Sequence, residues 1–274
     1  MKRTFFITAA TGLVALIAAP FAAEAQQGYL PEVQAEIVEG WPQADGTIVS
    51  ALRISMQDGW KTYWRTPGDG GIPPRMDWKG SRNLEDLSAI WPAPSVFVDN
   101  GMTSYGYVDE LLLPLVVTPK RDGRAVRLSG TLDIGVCKEI CVPVRLDVSG
   151  KLTPEGVGLE ASIAAAMAEQ PYTSREAQVA NVSCRVSPDP DGMKVSATVA
   201  MPASGAVEHA VFEIANPELW VQEAKVTRQG SSLTISSTVM HGENEPFFLQ
   251  RSDIDITILG SDYAVEIKGC NAGS

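Results

Sequence analysis

Short β-rich runs broken by Gly and Pro set the tightest limit on what this chain can fold into. Residues 36–38, 47–56, 61–65, 110–118, 125–134 and 142–148 either alternate apolar with polar side chains or are rich in β-branched and aromatic ones. Gly59, Pro67-Gly68-Asp69-Gly70-Gly71, Pro73-Pro74 and Asp122-Gly123 punctuate them. Strands at a spacing of about 8–12 residues with such turns predict a sandwich of antiparallel sheets. Helices alternating with strands are missing from the pattern, so a thioredoxin fold is a poor match.

One segment breaks the pattern. Residues 159–170 are rich in Ala, Ile, Met and Glu and are stopped by Pro171, which predicts a short helix. β-type patterning resumes at 178–270, with strands clearest at 232–239 and 254–259. Asp189-Pro190-Asp191-Gly192 and Gln229-Gly230-Ser231-Ser232 are read as hairpin turns. The expected fold is all-β: two immunoglobulin-like β-sandwiches joined by a short helical linker. The expected boundaries are 26–152 for the first domain, 153–176 for the linker and 177–274 for the second domain.

Residues 1–25 are set aside. Lys2-Arg3, an apolar run over 5–21 and Ala23-Glu24-Ala25 have the layout of a cleaved secretory signal peptide, which predicts export across the inner membrane to the periplasm. The longest later apolar run, 111–117, is interrupted by Pro114 and falls well short of the ~20 residues of a membrane helix. A net charge of −11 argues against nucleic acid as a partner. Two histidines leave little material for His-based metal or triad chemistry, so no cofactor and no metal site are expected. Four cysteines in an exported chain are the informative remainder.

Cys137 and Cys141 sit between two runs read as strands, so they flank a tight turn at a separation a disulfide can span. Three intervening residues make neither a zinc half-site nor the Cys-x-x-Cys of thioredoxins. So small a ring restrains the unfolded chain little and is readily reduced if exposed. Spacing alone leaves a redox pair and an inert staple both open. Cys184 and Cys270 bracket the second β block, and a bond between them closes a loop of about 87 residues, worth about 4–5 kcal/mol in the chain-entropy model. Four cysteines permit three pairings, and domain locality favours Cys137–Cys141 with a structural Cys184–Cys270.

The segment Gly135-Val136-Cys137-Lys138-Glu139-Ile140-Cys141-Val142-Pro143 resembles the active-site hairpin of the N-terminal periplasmic domain of DsbD-type thiol:disulfide interchange proteins, most closely the ScsB-like branch associated with suppression of copper sensitivity. Gly59-Trp60-Lys61-Thr62-Tyr63-Trp64-Arg65-Thr66-Pro67-Gly68-Asp69, Trp91-Pro92-Ala93-Pro94 and Tyr105-Gly106-Tyr107 follow the same family in order. The resemblance implies an immunoglobulin-like domain that passes electrons by dithiol–disulfide exchange to periplasmic thioredoxin-like oxidoreductases. Cys141 would form the mixed disulfide and Cys137 would resolve it. Residues 98–105 match a cap loop over the dithiol, with Met102 and Tyr105 as its shielding side chains, and Tyr63 matches an aromatic near the site. Family members continue into a membrane bundle. None is present up to Ser274, so a separate membrane electron-transfer protein is expected to supply the electrons.

Two other functions compete with that reading. Reduced Cys137 and Cys141, with Met102, offer soft ligands for Cu(I) in a copper-tolerance role. A non-catalytic adaptor with only structural disulfides is the other. The Gly-rich 67–74 segment lacks the Lys-Ser/Thr ending and following helix of a phosphate loop and is read as a turn.

Overall fold

The computed structural model describes residues 31–99, 101–243 and 245–272, so the expected signal peptide lies outside the described residues. The first half is built from β1 (Val33–Pro42), β2 (Ile48–Met56), β3 (Lys61–Tyr63), β4 (Arg75–Asp77), β5 (Leu84–Ala89), β6 (Ser95–Asp99), β7 (Met102–Val108), β8 (Glu110–Pro119), β9 (Val126–Cys137) and β10 (Cys141–Leu152). One sheet runs β1-β2-β8-β5. The other runs β10-β9-β3-β7-β6, with β4 also paired to β9.

After α1 (Ala161–Ala168) come β11 (Tyr172–Thr173), β12 (Asn181–Asp189), β13 (Gly192–Ala200), β14 (Glu208–Ile214), β15 (Leu219–Val221), β16 (Lys225–Gln229), β17 (Ser232–His241), β18 (Ile254–Gly260), β19 (Ala264–Ile267) and β20 (Asn271–Ala272). They form the sheets β11-β19-β18-β14 and β15-β17-β13-β12-β20, with β16 on β17. The chain is therefore two β-sandwiches joined by one short helix. Both turns expected in the second half close hairpins, Asp189 pairing with Gly192 and Gln229 with Ser232.

Strand parity selects the core, because successive side chains point to opposite faces. On β9, Val126, Leu128, Leu132, Ile134 and Val136 turn inward. They are buried with Leu52 and Ile54 of β2 and Leu111, Leu113 and Leu115 of β8. Each such side chain removed from water contributes about 1.5–3 kcal/mol. A second, separate core contains Val195, Ala197, Phe212, Ile235, Ile256 and Val265. The helix expected at 159–170 lies against the first sandwich, with Ile163 packed among Val49, Ala51 and Leu112.

The two sandwiches also meet directly. Trp64 and Tyr105 from the first share a buried cluster with Val211, Leu259 and Ala264 from the second. Beside it, Arg65 donates to both carboxylate oxygens of Glu213 (2.7 and 2.9 Å) and to Glu266 (2.6 Å), while Thr66 donates to Glu213 (2.9 Å). Burial pushes the Glu213 carboxyl up, but hydrogen bonds and charge from Arg65, with Thr257 and Thr66, outweigh it and hold the net value below the ordinary 4.5.

Candidate functional site

Cys137 ends β9 and Cys141 begins β10. The two are direct register partners and are disulfide-bonded, with Cα atoms 4.1 Å apart. The Lys138 N–H donates to the Ile140 carbonyl (3.1 Å) and closes the turn. Because Val136 points into the core, Cys137 must point out of it. An outward side chain next to a turn is ordinarily exposed, yet Cys137 is only 1% exposed. Cys141, across the turn on the edge strand, is exposed. Something outside the sandwich therefore covers Cys137 more fully than Cys141.

Part of that cover is Tyr63, on the same outer face through the pairing of Lys61 with Cys137. Its hydroxyl donates to Cys137 Sγ (2.9 Å), lies 3.3 Å from Cys141 Sγ and reaches the Gly70 carbonyl at 3.2 Å. Burial raises the Tyr63 phenol above its ordinary pKa, and the negative charge of Asp99 adds to the rise, so the hydroxyl stays protonated and available as a donor at neutral pH.

The hairpin β6–β7 lies beside the same face, held to Lys61, the register partner of Cys137. Lys61 pairs with Val108 at the far end of β7, whereas Asp99 pairs with Met102 at its start. Those β7 positions lie about 20 Å apart along a straight strand. Lys61 Nζ nevertheless meets Asp99 at 2.5 Å and sits 4.6 Å from the centre of the Phe97 ring. The hairpin must fold back over the face that carries the disulfide. Gly106 permits the close crossing, since a Cβ there would lie 2.0 Å from the Thr62 carbonyl oxygen.

The residues singled out in the sequence divide accordingly. Tyr63 touches both sulfurs. Met102 is 51% exposed at the tip of the hairpin, beside Gly70. The cap expected as a loop at 98–105 is instead the end of β6 and the start of β7. Tyr105 requires a correction: it falls on the opposite face of β7 from Gly106, the register partner of Tyr63. There it lies edge-on to Trp64 in the cluster shared with the second sandwich and does not shield the sulfurs. Cys184 and Cys270 are bonded to each other in the second sandwich. Lys138 Nζ donates to the Asp58 carbonyl (3.0 Å).

Lys61, Phe97, Asp99 and Gly70 complete the site and were not singled out as site residues from the sequence. Ile140 of the turn (59% exposed), Val98, Met102 and Val108 leave apolar surface on the elements that frame Cys141.

Residues 26–152 match the family model for the N-terminal part of the thiol:disulfide interchange protein DsbD. The first sandwich is a DsbD-type N-terminal domain. Among solved structures, the N-terminal periplasmic domain of ScsB from Proteus mirabilis has the same fold. It aligns at a TM-score of 0.65 and 20% identity, over 89% of this chain and 93% of that one. A protein of unknown function from Porphyromonas gingivalis W83 aligns over 87% of this chain and 99% of its own, at 13% identity and a TM-score of 0.21. No curated protein matches the sequence. In the DsbD-type domain, then, the disulfide occupies a hairpin on the outer face, roofed by a folded-back hairpin and bridged by a tyrosine hydroxyl.

Proposed function

We propose that this chain is a periplasmic thiol:disulfide interchange protein working through Cys137 and Cys141. The observation that carries the reading is the unequal exposure of the two cysteines, Cys141 exposed on an edge strand and Cys137 buried. Exchange needs one accessible thiolate and one protected resolving thiol. Membership of the first sandwich in the DsbD N-terminal family supports the same assignment.

In the reduced state the Cys141 thiolate attacks a sulfur of a partner's disulfide. The partner's S–S bond breaks, its second sulfur leaves as a thiolate, and a mixed disulfide forms. The Cys137 thiolate then attacks Cys141 Sγ. The intramolecular disulfide re-forms and the partner departs as a dithiol, so two electrons have moved to it. The Tyr63 hydroxyl stabilises whichever sulfur carries the charge within its reach. Thioredoxin-like oxidoreductases are the partners the family implies, and a separate membrane protein is the electron source. The apolar side chains around Cys141 provide the surface on which such a partner docks.

The test is a redox titration of the purified protein in glutathione or dithiothreitol buffers, with alkylation and mass mapping of each cysteine. Reversible equilibration of Cys137–Cys141 in roughly the −120 to −270 mV span of exchange proteins, with Cys184–Cys270 remaining oxidised, is expected. Resistance of Cys137–Cys141 to reduction below about −300 mV would make it a structural bond and end the reading.

A further inference from the structure

The cap hairpin is gripped from two sides. On the first sandwich, Lys61 holds its tip through Asp99 and Phe97. One residue further along β7 the grip comes from the second sandwich. The Thr103 hydroxyl, buried near the start of β7, donates to Glu223 Oε1 at 2.5 Å. Glu223 belongs to the segment between β15 and β16, and its own N–H donates to Asp69 Oδ2 (3.4 Å).

Asp69 lies in the 66–71 segment, which is laced to the same strand. Tyr105 N–H donates to the Pro67 carbonyl (3.0 Å), and Gly70 N–H to the Thr103 carbonyl (3.4 Å). Gly68 there has φ +77°, and a Cβ on it would lie 2.6 Å from the Thr103 oxygen. The Gly70 carbonyl in turn accepts from Tyr63, the residue that touches both sulfurs. One residue of the second sandwich thus holds the start of β7 through its side chain and the 66–71 segment, whose Gly70 accepts from Tyr63, through its backbone N–H.

We infer that Glu223 is a positioning residue through which the second sandwich clamps the cap over the disulfide and slows access to it. This rests on the redox reading of Cys137 and Cys141, and it assigns the second sandwich a part in regulating that site. Glu223 acts on access, not on the chemistry of the sulfurs. Removing it accelerates reaction at the covered Cys137 and leaves the equilibrium potential of the pair where it was.

The test follows alkylation of the Cys137 thiol in the reduced full chain by excess iodoacetamide, with each cysteine mapped by mass. The Cys137 thiolate displaces iodide and one S–C bond forms. Glu223→Ala is expected to raise the rate about tenfold, the equivalent of one charge-assisted hydrogen bond. Glu223→Gln keeps a neutral acceptor for Thr103 and is expected to fall between the unaltered chain and Glu223→Ala. Thr103→Val removes the same bond from the other side. It reproduces the acceleration without touching the second sandwich, and the double variant is no faster than either single one.

Equal rates in all five chains, or an acceleration in Glu223→Gln as large as in Glu223→Ala, would overturn the inference. So would a potential that moves with the rate. The equilibrium titration of the unaltered chain judges the redox reading independently, so the two can fail separately.

Discussion

Replacing Tyr63 by Phe isolates one hydroxyl. The ring is buried at 2% exposure and stays in place, so only the contacts to Cys137 Sγ, Cys141 Sγ and the Gly70 carbonyl are lost. A neutral hydrogen bond contributes about 0.5–1.5 kcal/mol, whereas one to a charged acceptor contributes about 1.5–3 kcal/mol. In the reduced protein the difference, about 1.4 kcal/mol, falls on the thiolate and amounts to about one pKa unit. The titrating thiol in Tyr63→Phe is expected about one unit higher. At a pH below both values the thiolate fraction drops about tenfold. The more basic thiolate regains about threefold, because nucleophilicity follows basicity with a coefficient of about 0.4–0.5. The net expectation is alkylation slower by roughly threefold. Iodoacetamide rates on the reduced protein between pH 5 and 10, with thiolate absorbance in the ultraviolet, read both quantities. A pKa unchanged within 0.3 unit would show that the hydroxyl belongs to Gly70 alone, and the assigned role in thiolate stabilisation would fall.

The remaining predictions concern the cap, the inter-sandwich contact and the second disulfide. Asp99→Ala breaks an ion pair whose acidic partner is exposed, worth about 0.2–1 kcal/mol, so reduction by dithiothreitol should quicken by no more than about fivefold. Gly106→Ala drives a Cβ into the Thr62 carbonyl and should destabilise the first sandwich by about 1–3 kcal/mol in a urea melt, with the cap loosened as well. Glu213→Gln should cost about 2 kcal/mol at neutral pH, scaled down from a fully buried pair because Arg65 keeps Glu266 and some water contact. Because folding lowers the Glu213 pKa, its contribution is fully present above the ordinary 4.5 and fades as pH falls through the folded value. Urea midpoints of the two chains should therefore converge in acid. Replacing both Cys184 and Cys270 by Ala should lower stability by about 4.5 kcal/mol, against about 2 kcal/mol for the small Cys137–Cys141 ring, in the chain-entropy model.

The reach of the sequence stops where contacts become non-local. The cysteine hairpin was legible because strand, turn and strand adjoin in the chain, and parity alone sends Cys137 outward once Val136 is placed in the core. The segment expected as a cap was read as a loop, whereas its ends are the strands β6 and β7. Its hairpin character is signalled by Val96-Phe97-Val98 followed by Asn100-Gly101, a dipeptide typical of tight hairpin turns. Tyr105 was assigned to the wrong face because a one-residue step decides the face and the pairing partner of β7 was unknown. The inter-sandwich contacts had no local signature. Arg65 and Glu213 are 148 residues apart and Thr103 and Glu223 are 120 apart, so only the folded chain brings them together.

Placing the disulfide on the outer face of β9 has a consequence for how the molecule ages through repeated turnovers. Oxidation and reduction alter two sulfurs that belong to no core layer, so Leu132, Ile134 and Val136 keep one packing in both states. Nothing in the interior has to be re-melted and re-set for each pair of electrons. On the proposed function, the chemistry is confined to a turn and a tyrosine hydroxyl. The long-loop disulfide ties the strands of the second sandwich independently of that pair.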